Sequence, residues 1–275
     1  MPDYFKTNQE LWDKKTPIHL ESEMYDLENF KKGKTSLNAI ELEGLGEVKG
    51  KKLLHLQCHF GLDTLSFARM GAKATGVDLS PVAIQTAKDL NTELGLDAEF
   101  MVSNVLELEE HLKGQFDIVF TSYGTIVWLP DLTKWAKIIN HFLKPSGIFY
   151  IAEFHPIINM FDWDNSKIAY PYFNNKGAFY EEEEGTYANP DADIKSGEYF
   201  WFHPLSETMG ALLKEGLQLI DFQEFDYSPY NCFPNMTEVE KGKYVYFPKE
   251  EMSERVRMPQ VFSMKFQKPL NKNTN

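Results

Sequence analysis

Residues 51–80, KKLLHLQCHFGLDTLSFARMGAKATGVDLS, leave the chain few folds to adopt. An apolar run, Leu53 to Cys58, leads into a turn with a single glycine, Gly61. A helical stretch follows from Leu62 to Met70, with Leu62, Leu65, Phe67 and Ala68 on or near one side. Gly71 ends it, and a second apolar run, Ala74 to Val77, stops at Asp78. Strand, turn, helix, strand and acid form the opening unit of a nucleotide-binding parallel sheet. A carboxylate at that second strand tip can accept hydrogen bonds from a ribose diol. The alternative is an ordinary strand–helix–strand unit with an incidental acid.

The glycines bear on which nucleotide. A dinucleotide fold uses G-x-G-x-x-G so that the backbone can approach a pyrophosphate at the helix N-terminus. Here the turn reads Gln57, Cys58, His59, Phe60, Gly61, with bulky residues at the earlier small positions. A diphosphate is crowded, whereas a ligand without phosphates can still lie across the strand tips. NAD is disfavoured.

The pattern continues through a doubly wound α/β sheet. Ser80 is an N-cap with Pro81 at the first helical position, and Ala83, Ile84, Ala87 and Leu90 repeat at helical spacing before Gly95. Ala98 to Val102 reads as a third strand ending at Ser103-Asn104, where Asn104 either meets an adenine edge or forms a turn. Phe116 to Phe120 is a fourth strand, with Thr121, Ser122, Tyr123 and Gly124 at its carboxyl end, where open α/β sheets bind ligands. A helix from Leu132 to Leu143, a tight turn at 144–147 and a fifth strand, Ile148 to Ala152, complete the alternation and end at Glu153, Phe154 and His155. Pro204 to Gly216 is helical, and Leu217 to Phe225 and Gln260 to Phe266 are expected as a final antiparallel pair at the sheet edge.

Two stretches fall outside this alternation. Residues 1–50 carry Trp12, His19, Met24, Tyr25 and Phe30; Leu11 to Asn29 reads as one or two helices interrupted at Pro17, and a more regular pattern follows in Ser36 to Leu45. They either fold over the ligand crevice as a lid or pack on the back of the sheet. Residues 157–202 are rich in aromatics, among them Trp163, Tyr170, Tyr187, Tyr199 and Trp201. Two alternating segments there, around Ala178 to Glu183 and Glu198 to Phe202, are expected to pair as a hairpin, with Glu181 to Glu184 as a solvated face. Because this insertion leaves the sheet just after the fifth strand, it is expected to cap the crevice, the alternative being that its aromatics simply fix an insertion to the sheet.

With 28 basic and 41 acidic residues the net charge is −13, which argues against nucleic-acid backbone contacts as the main business. Cys58 and Cys232 form no disulfide framework, and no run approaches transmembrane length. The first ten residues, MPDYFKTNQE, carry no apolar signal segment, so a cytoplasmic protein is expected, as a monomer or a homodimer.

The stretch LLHLQCHFGLDTLSFARMGAKATGVDLSPVAIQTAK, followed by FDIVFTSYGTIVWLPDLTKWAKIINHFLKPSGIFYIAEFHP, resembles the class I S-adenosylmethionine-dependent methyltransferases, and in particular the small-molecule type. The resemblance implies a Rossmann-like, mostly parallel seven-stranded sheet with an antiparallel last strand. The methyltransferase domain would then span 51–156 and 203–268, with 1–50 as a helical region and 157–202 as a capping insertion. It implies S-adenosyl-L-methionine as cofactor, with His59 and Gly61 in the loop around its methionine and ribose part and Asp78 on the ribose hydroxyls. Asn104 would stand on the adenine side, and Thr121 or Ser122 at the fourth strand tip. Three departures stand out: His55 replaces an acid inside the first strand, Gln57 and His59 replace two loop glycines, and Asn104 replaces an aspartate.

Methyl transfer needs an aligned lone pair on an N or O acceptor and, for a protonated acceptor, a base. His155 is the expected base, with Tyr123 orienting the acceptor, His203 and Glu153 as competitors, and no metal. The acidic charge and the aromatic insertion point to a compact small-molecule acceptor rather than a polyanion. A non-catalytic binding or scaffold protein and, further off, an NAD-dependent oxidoreductase are the other readings.

Overall fold

The computed structural model describes residues 3–162, 167–173, 177–231, 233, 236–246 and 257–270. Trp163, Cys232 and the last five residues of the polar tail lie outside the described residues. Three helices come first: α1 (Tyr4–Glu21), α2 (Leu27–Lys31) and α3 (Ala39–Leu45). The alternating part follows as β1 (Lys52–Leu56), α4 (Leu62–Arg69), β2 (Lys73–Asp78), α5 (Pro81–Glu93), β3 (Glu99–Val102), α6 (Leu108–His111), β4 (Phe116–Ser122), α7 (Leu132–Phe142) and β5 (Leu143–Phe154). The hairpin β6 (Phe179–Glu184) and β7 (Lys195–Phe200) comes next, then α8 (Leu205–Lys214), β8 (Gln218–Phe225), β9 (Met236–Glu240), β10 (Lys243–Tyr246) and β11 (Val261–Gln267).

The main sheet has seven strands in the order β3-β2-β1-β4-β5-β11-β8. Strands β1 to β5 pair in parallel, and β11 runs antiparallel to both β5 and β8. The expected architecture is therefore present, with β8 at the edge and the last strand inserted inside it. Both faces are covered, as a parallel sheet requires. On β1, Leu54 and Leu56 enter a core with Trp135, Ile139 and Phe142 of α7 and Leu212 of α8. Leu53, one step along, joins Phe120 and Tyr150 against Ile40, Leu45 and Phe67. The side chain of Asp131 starts α7 by accepting the N–H groups of Thr133 and Lys134.

Two local expectations change. Helix α1 runs through Pro17 without a break. Proline removes one helical hydrogen bond, but α1 buries Asn8, Leu11, Lys15, Thr16 and His19 along one side, and that tertiary packing outweighs the loss. Residues 144–147 are a bulge inside β5 rather than a turn before it. The register jumps from Phe116 opposite Leu143 to Ile118 opposite Ile148, with Ser146 at φ 63°.

Helix α1 lies against the carboxyl end of the sheet. The Asn8 amide bonds both backbone groups of Tyr199, donating to its carbonyl at 2.8 Å and accepting its N–H at 2.9 Å, as a neighbouring strand residue would. The buried Lys15 ammonium pairs with Glu183 at 2.6 Å and Glu198 at 3.7 Å. The hairpin β6–β7 forms as expected, with Phe179 opposite Phe200.

Gly61, the N-cap of α4, has φ 82°, and a Cβ there would stand 2.6 Å from the Phe100 ring and 3.0 Å from the Ala87 methyl. Gly61→Ala should therefore lower stability by about 2–4 kcal/mol, summing strain and overpacking. Urea unfolding measures this, and a loss below about 0.5 kcal/mol, the ordinary surface value, would contradict it.

Candidate active site

The strand order reverses between β1 and β4, and a cavity of about 1250 Å³ opens over that point. A pocket for one drug-sized ligand runs to roughly 300–1000 Å³, so two molecules have room. Its floor is the loop after β1. Gln57, His59 and Gly61 adopt φ of 56°, 51° and 82°, so every second residue is left-handed. A non-glycine residue pays about 1–2 kcal/mol for this. Side-chain and backbone bonds hold the two bulky residues there. Gln57 Nε2 donates to the Thr125 carbonyl at 2.9 Å, and the His59 N–H donates to Asp78 Oδ2 at 2.7 Å.

Asp78 ends β2, and its other oxygen accepts the Ser80 N–H at 2.9 Å. Burial raises its carboxyl to about 6, against the pull of the Ser80, His59 and Leu79 N–H groups. A carboxylate has about four acceptor positions, so Asp78 keeps capacity for a ligand diol at the cavity wall. Asn104 lines the same wall beside Val105, its Oδ1 committed to the Leu106 N–H at 3.0 Å. Ser122 lines it too, donating to Asp63 Oδ2 at 3.2 Å.

The remaining expected residues divide. Thr121 is fully buried and donates its hydroxyl to the Leu56 carbonyl, so it ties β4 to β1 and is not on the cavity wall. His155 is also turned away. The strand alternates at this point, so Phe154 faces the cavity while the His155 ring packs near Phe262, with Nε2 2.9 Å from Glu224 and Nδ1 accepting the Ile157 N–H. His203 is buried between Glu207 and the Leu129 carbonyl. Glu153 accepts the N–H groups of Gly124, Thr125, Ile126 and Phe154 and the Thr125 hydroxyl, which fixes the wall of the cavity from behind. Tyr123 does line the cavity, between the rings of Phe154 and Tyr230. Burial, and then the nearby Glu41 carboxyl, push its hydroxyl well above the ordinary range.

Other groups carry no sequence pattern of their own. Trp12 of α1 contacts His59 and Trp128 from above. His19 Nδ1 lies 3.0 Å from His59 Nε2. Burial and the Lys15 charge lower His19 to about 3, and burial, His19 and Lys15 take His59 well below its ordinary value. Both rings are therefore neutral, and one donates to the other. Asp63, in the first turn of α4, accepts the Ser36 hydroxyl at 2.6 Å. Glu41 is fully buried, and burial followed by the charge of Asp63 raises it to about 7. The one local sign of Asp63 was an acid at a helix start, which the helix dipole alone would explain.

Residues 53–147 match a family model described as a methyltransferase domain. The ubiquinone biosynthesis O-methyltransferase of Xanthomonas euvesicatoria pv. vesicatoria (strain 85-10) is 29% identical over 136 residues, covering 48% of this chain and 56% of that one. The enzyme of the same description from Escherichia coli O7:K1 (strain IAI39 / ExPEC) is 32% identical over 135 residues, again 48% of this chain and 56% of the relative. The chain thus spans a little over half the length of these relatives. An S-adenosylmethionine-dependent methyltransferase of known structure from Clostridium acetobutylicum ATCC 824 superposes with a TM-score of 0.56 at 12% identity, over 96% of this chain and 99% of that one. That likeness concerns the fold, which is the class I methyltransferase fold. Outside residues 53–147 the cavity is lined, among others, by α1, the 24–38 segment, Phe154, β6–β7, Tyr230 and the β9–β10 hairpin, whose Glu238, Lys241 and Tyr244 reach the same space. No helix among the described residues is long and apolar enough to cross a membrane.

The buried groups set a pH profile for stability. His19 and His55, both lowered to about 3, and His59 bind fewer protons folded than unfolded, so their contribution is lost as pH falls below about 6.5. Asp78, raised to about 6, and Glu41 and Glu198, raised to about 7, bind more, so theirs is lost as pH rises toward those values. The two sets oppose each other between about pH 5 and 7, and the histidines win below about pH 4.5. Urea midpoints should be nearly level across the first range and drop in the second. A midpoint that climbs steadily down to about pH 4 would contradict the assignment.

Proposed function

We propose that the protein binds S-adenosylmethionine and transfers its methyl group to an N or O atom of a small molecule. The observation that carries this is the Asp78 carboxylate, which keeps acceptor capacity at the end of β2, beside a left-handed loop, inside a cavity sized for two molecules. The match of residues 53–147 to a methyltransferase domain supports the same reading. The residues present suit the cofactor: Asp78 would hold the ribose diol, Asn104 would donate on the adenine side through its amide N–H, and the 57–61 backbone with Ser122 would flank the methionine end. The cofactor supplies a methyl group already activated by its sulfonium leaving group, so the protein chiefly aligns an acceptor and excludes water.

The acceptor would sit among the insertion, the Tyr123–Tyr230 pair and Phe233, beyond the loop. The insertion acts as the acceptor-site cap and α1 as a lid. Tyr123 stays protonated at neutral pH, so it orients an acceptor by hydrogen bonding rather than by taking its proton. The carboxyl beside it, Glu41 at about 7, is poised to accept a proton at neutral pH. The known activity of the relatives, O-methylation in ubiquinone biosynthesis, makes O-methyl transfer the first chemistry to assay. A buried free thiol at Cys58 suits a reducing, cytoplasmic setting.

Calorimetry with S-adenosylhomocysteine tests the reading. Binding is expected, and Asp78→Ala should weaken it by about 1.5–3 kcal/mol, the value of a hydrogen bond to a charged group. Tighter binding of NAD than of S-adenosylhomocysteine, or no binding of the latter, would overturn it. His155→Gln separates the wall of the cavity from its back. This variant should bind S-adenosylhomocysteine with unchanged affinity, and a loss of tenfold or more, about 1.4 kcal/mol, would return His155 to the site.

A further inference from the structure

Asp63 stands at the far side of the β1 loop from Asp78. It lies two residues into α4, and its partners are two hydroxyls, Ser36 at 2.6 Å and Ser122 at 3.2 Å. No Lys or Arg pairs with it among the described residues, and its charge acts on another acid, Glu41, which it helps to raise. Yet the carboxylate lines the cavity. A carboxylate buried without a cation is costly, and the cost shows as a carboxyl raised by burial. The helix dipole favours an acid in this turn, but it would favour an exposed one equally.

We propose that Asp63 is the counter-ion for the α-ammonium group of the cofactor. The inference rests on the S-adenosylmethionine reading above. Its geometry follows from the sheet. β2, β1 and β4 are neighbours in that order, Asp78 ends β2, and Asp63 is bonded to Ser122 at the end of β4. The Cys58 thiol, between them in the loop, feels the charge of both carboxylates. A ligand whose ribose sits on Asp78 and which crosses the tip of β1 brings its amino-acid end to Asp63. An ammonium group offers three N–H donors and a positive charge, and the Asp63 oxygens have acceptor positions left after the two hydroxyls. The sulfonium of the same molecule has no N–H and cannot use those positions. The two serines hold the carboxylate in place before the ligand arrives.

The test compares ligands that share an adenosyl thioether but differ at the amino-acid end. S-Adenosylhomocysteine carries the ammonium, its N-acetyl derivative has lost that charge, and 5′-methylthioadenosine lacks the amino-acid end altogether. With the full-length protein in a calorimeter, Asp63→Asn should weaken S-adenosylhomocysteine by about tenfold or more, the scale of a charge-assisted hydrogen bond, and leave 5′-methylthioadenosine within about twofold. Equal weakening of both ligands would reduce Asp63 to a residue that shapes the loop and overturn the proposal, as would no weakening of either. The wild-type protein gives a second reading that does not depend on the variant folding: N-acetylation should cost S-adenosylhomocysteine about tenfold or more. If wild type binds the acetylated ligand as well as the parent, the counter-ion role falls. If wild type binds none of the three, the cofactor reading itself falls.

Discussion

The bond from the His59 N–H to the Asp78 carboxylate is the contact on which the site depends. It joins the loop after β1 to the tip of β2 and holds His59 at φ 51°, a conformation a histidine avoids when free. With Gln57 fastened to Thr125 on the other side, the loop has a left-handed residue at each alternate position and only one glycine. The spaced glycines of nucleotide-binding turns serve two ends, backbone freedom and lack of bulk. This loop keeps the conformation and gives up the openness. It puts an imidazole where a smaller residue would leave room, and that imidazole becomes part of the cavity's upper structure through His19.

The walls of the cavity come from parts of the chain far apart in sequence, and its charges are arranged by burial. Lys15, on α1, answers Glu183 and Glu198 on the insertion, so the roof is joined by a buried ion pair at one end and by two neutral rings at the other. Below, Asp63 and Asp78 on the cavity wall and Glu41 buried behind it are all raised by burial first. The cavity wall thus carries two carboxyls, Asp63 and Asp78, with aromatic rings beside them. Glu153 contributes from outside the cavity. By collecting four N–H groups and a hydroxyl, it bends residues 124–126 into the wall that carries Tyr123 at its start.

Much of this was legible before the structure. The alternation of apolar runs and helical spacing predicts the strands of the sheet, and the position of Asp78 follows from the end of the second run. The hairpin in the insertion also follows from its alternation. What was not legible depended on the direction of single side chains. Phe154 and His155 are adjacent, and only the strand's pleat decides that the phenylalanine faces the cavity and the histidine faces Phe262. Thr121 and Ser122 differ in the same way. Pro17 reads locally as a helix break, and only the packing of α1, which lies outside any local pattern, carries the helix through it. Asp63 was hidden by a sufficient local explanation, and its hydroxyl partners, Ser36 and Ser122, come from segments that sequence alone does not bring together.

The attachment of Asn8 to Tyr199 has a consequence for the order in which the molecule is made. α1 leaves the ribosome well before its partners Glu183, Glu198 and Tyr199, the last of them 191 residues beyond Asn8. The parallel strands β1 to β5 need nothing beyond residue 154 to pair with one another. During synthesis, then, a nascent sheet can form while the inner side of α1, with Leu11 and His19, still lacks its cover from the insertion. Closing so long a span is slow compared with local pairing. The ligand chamber thus takes shape after the parallel part of the sheet, and an early stop in translation would leave those strands with no roof above them.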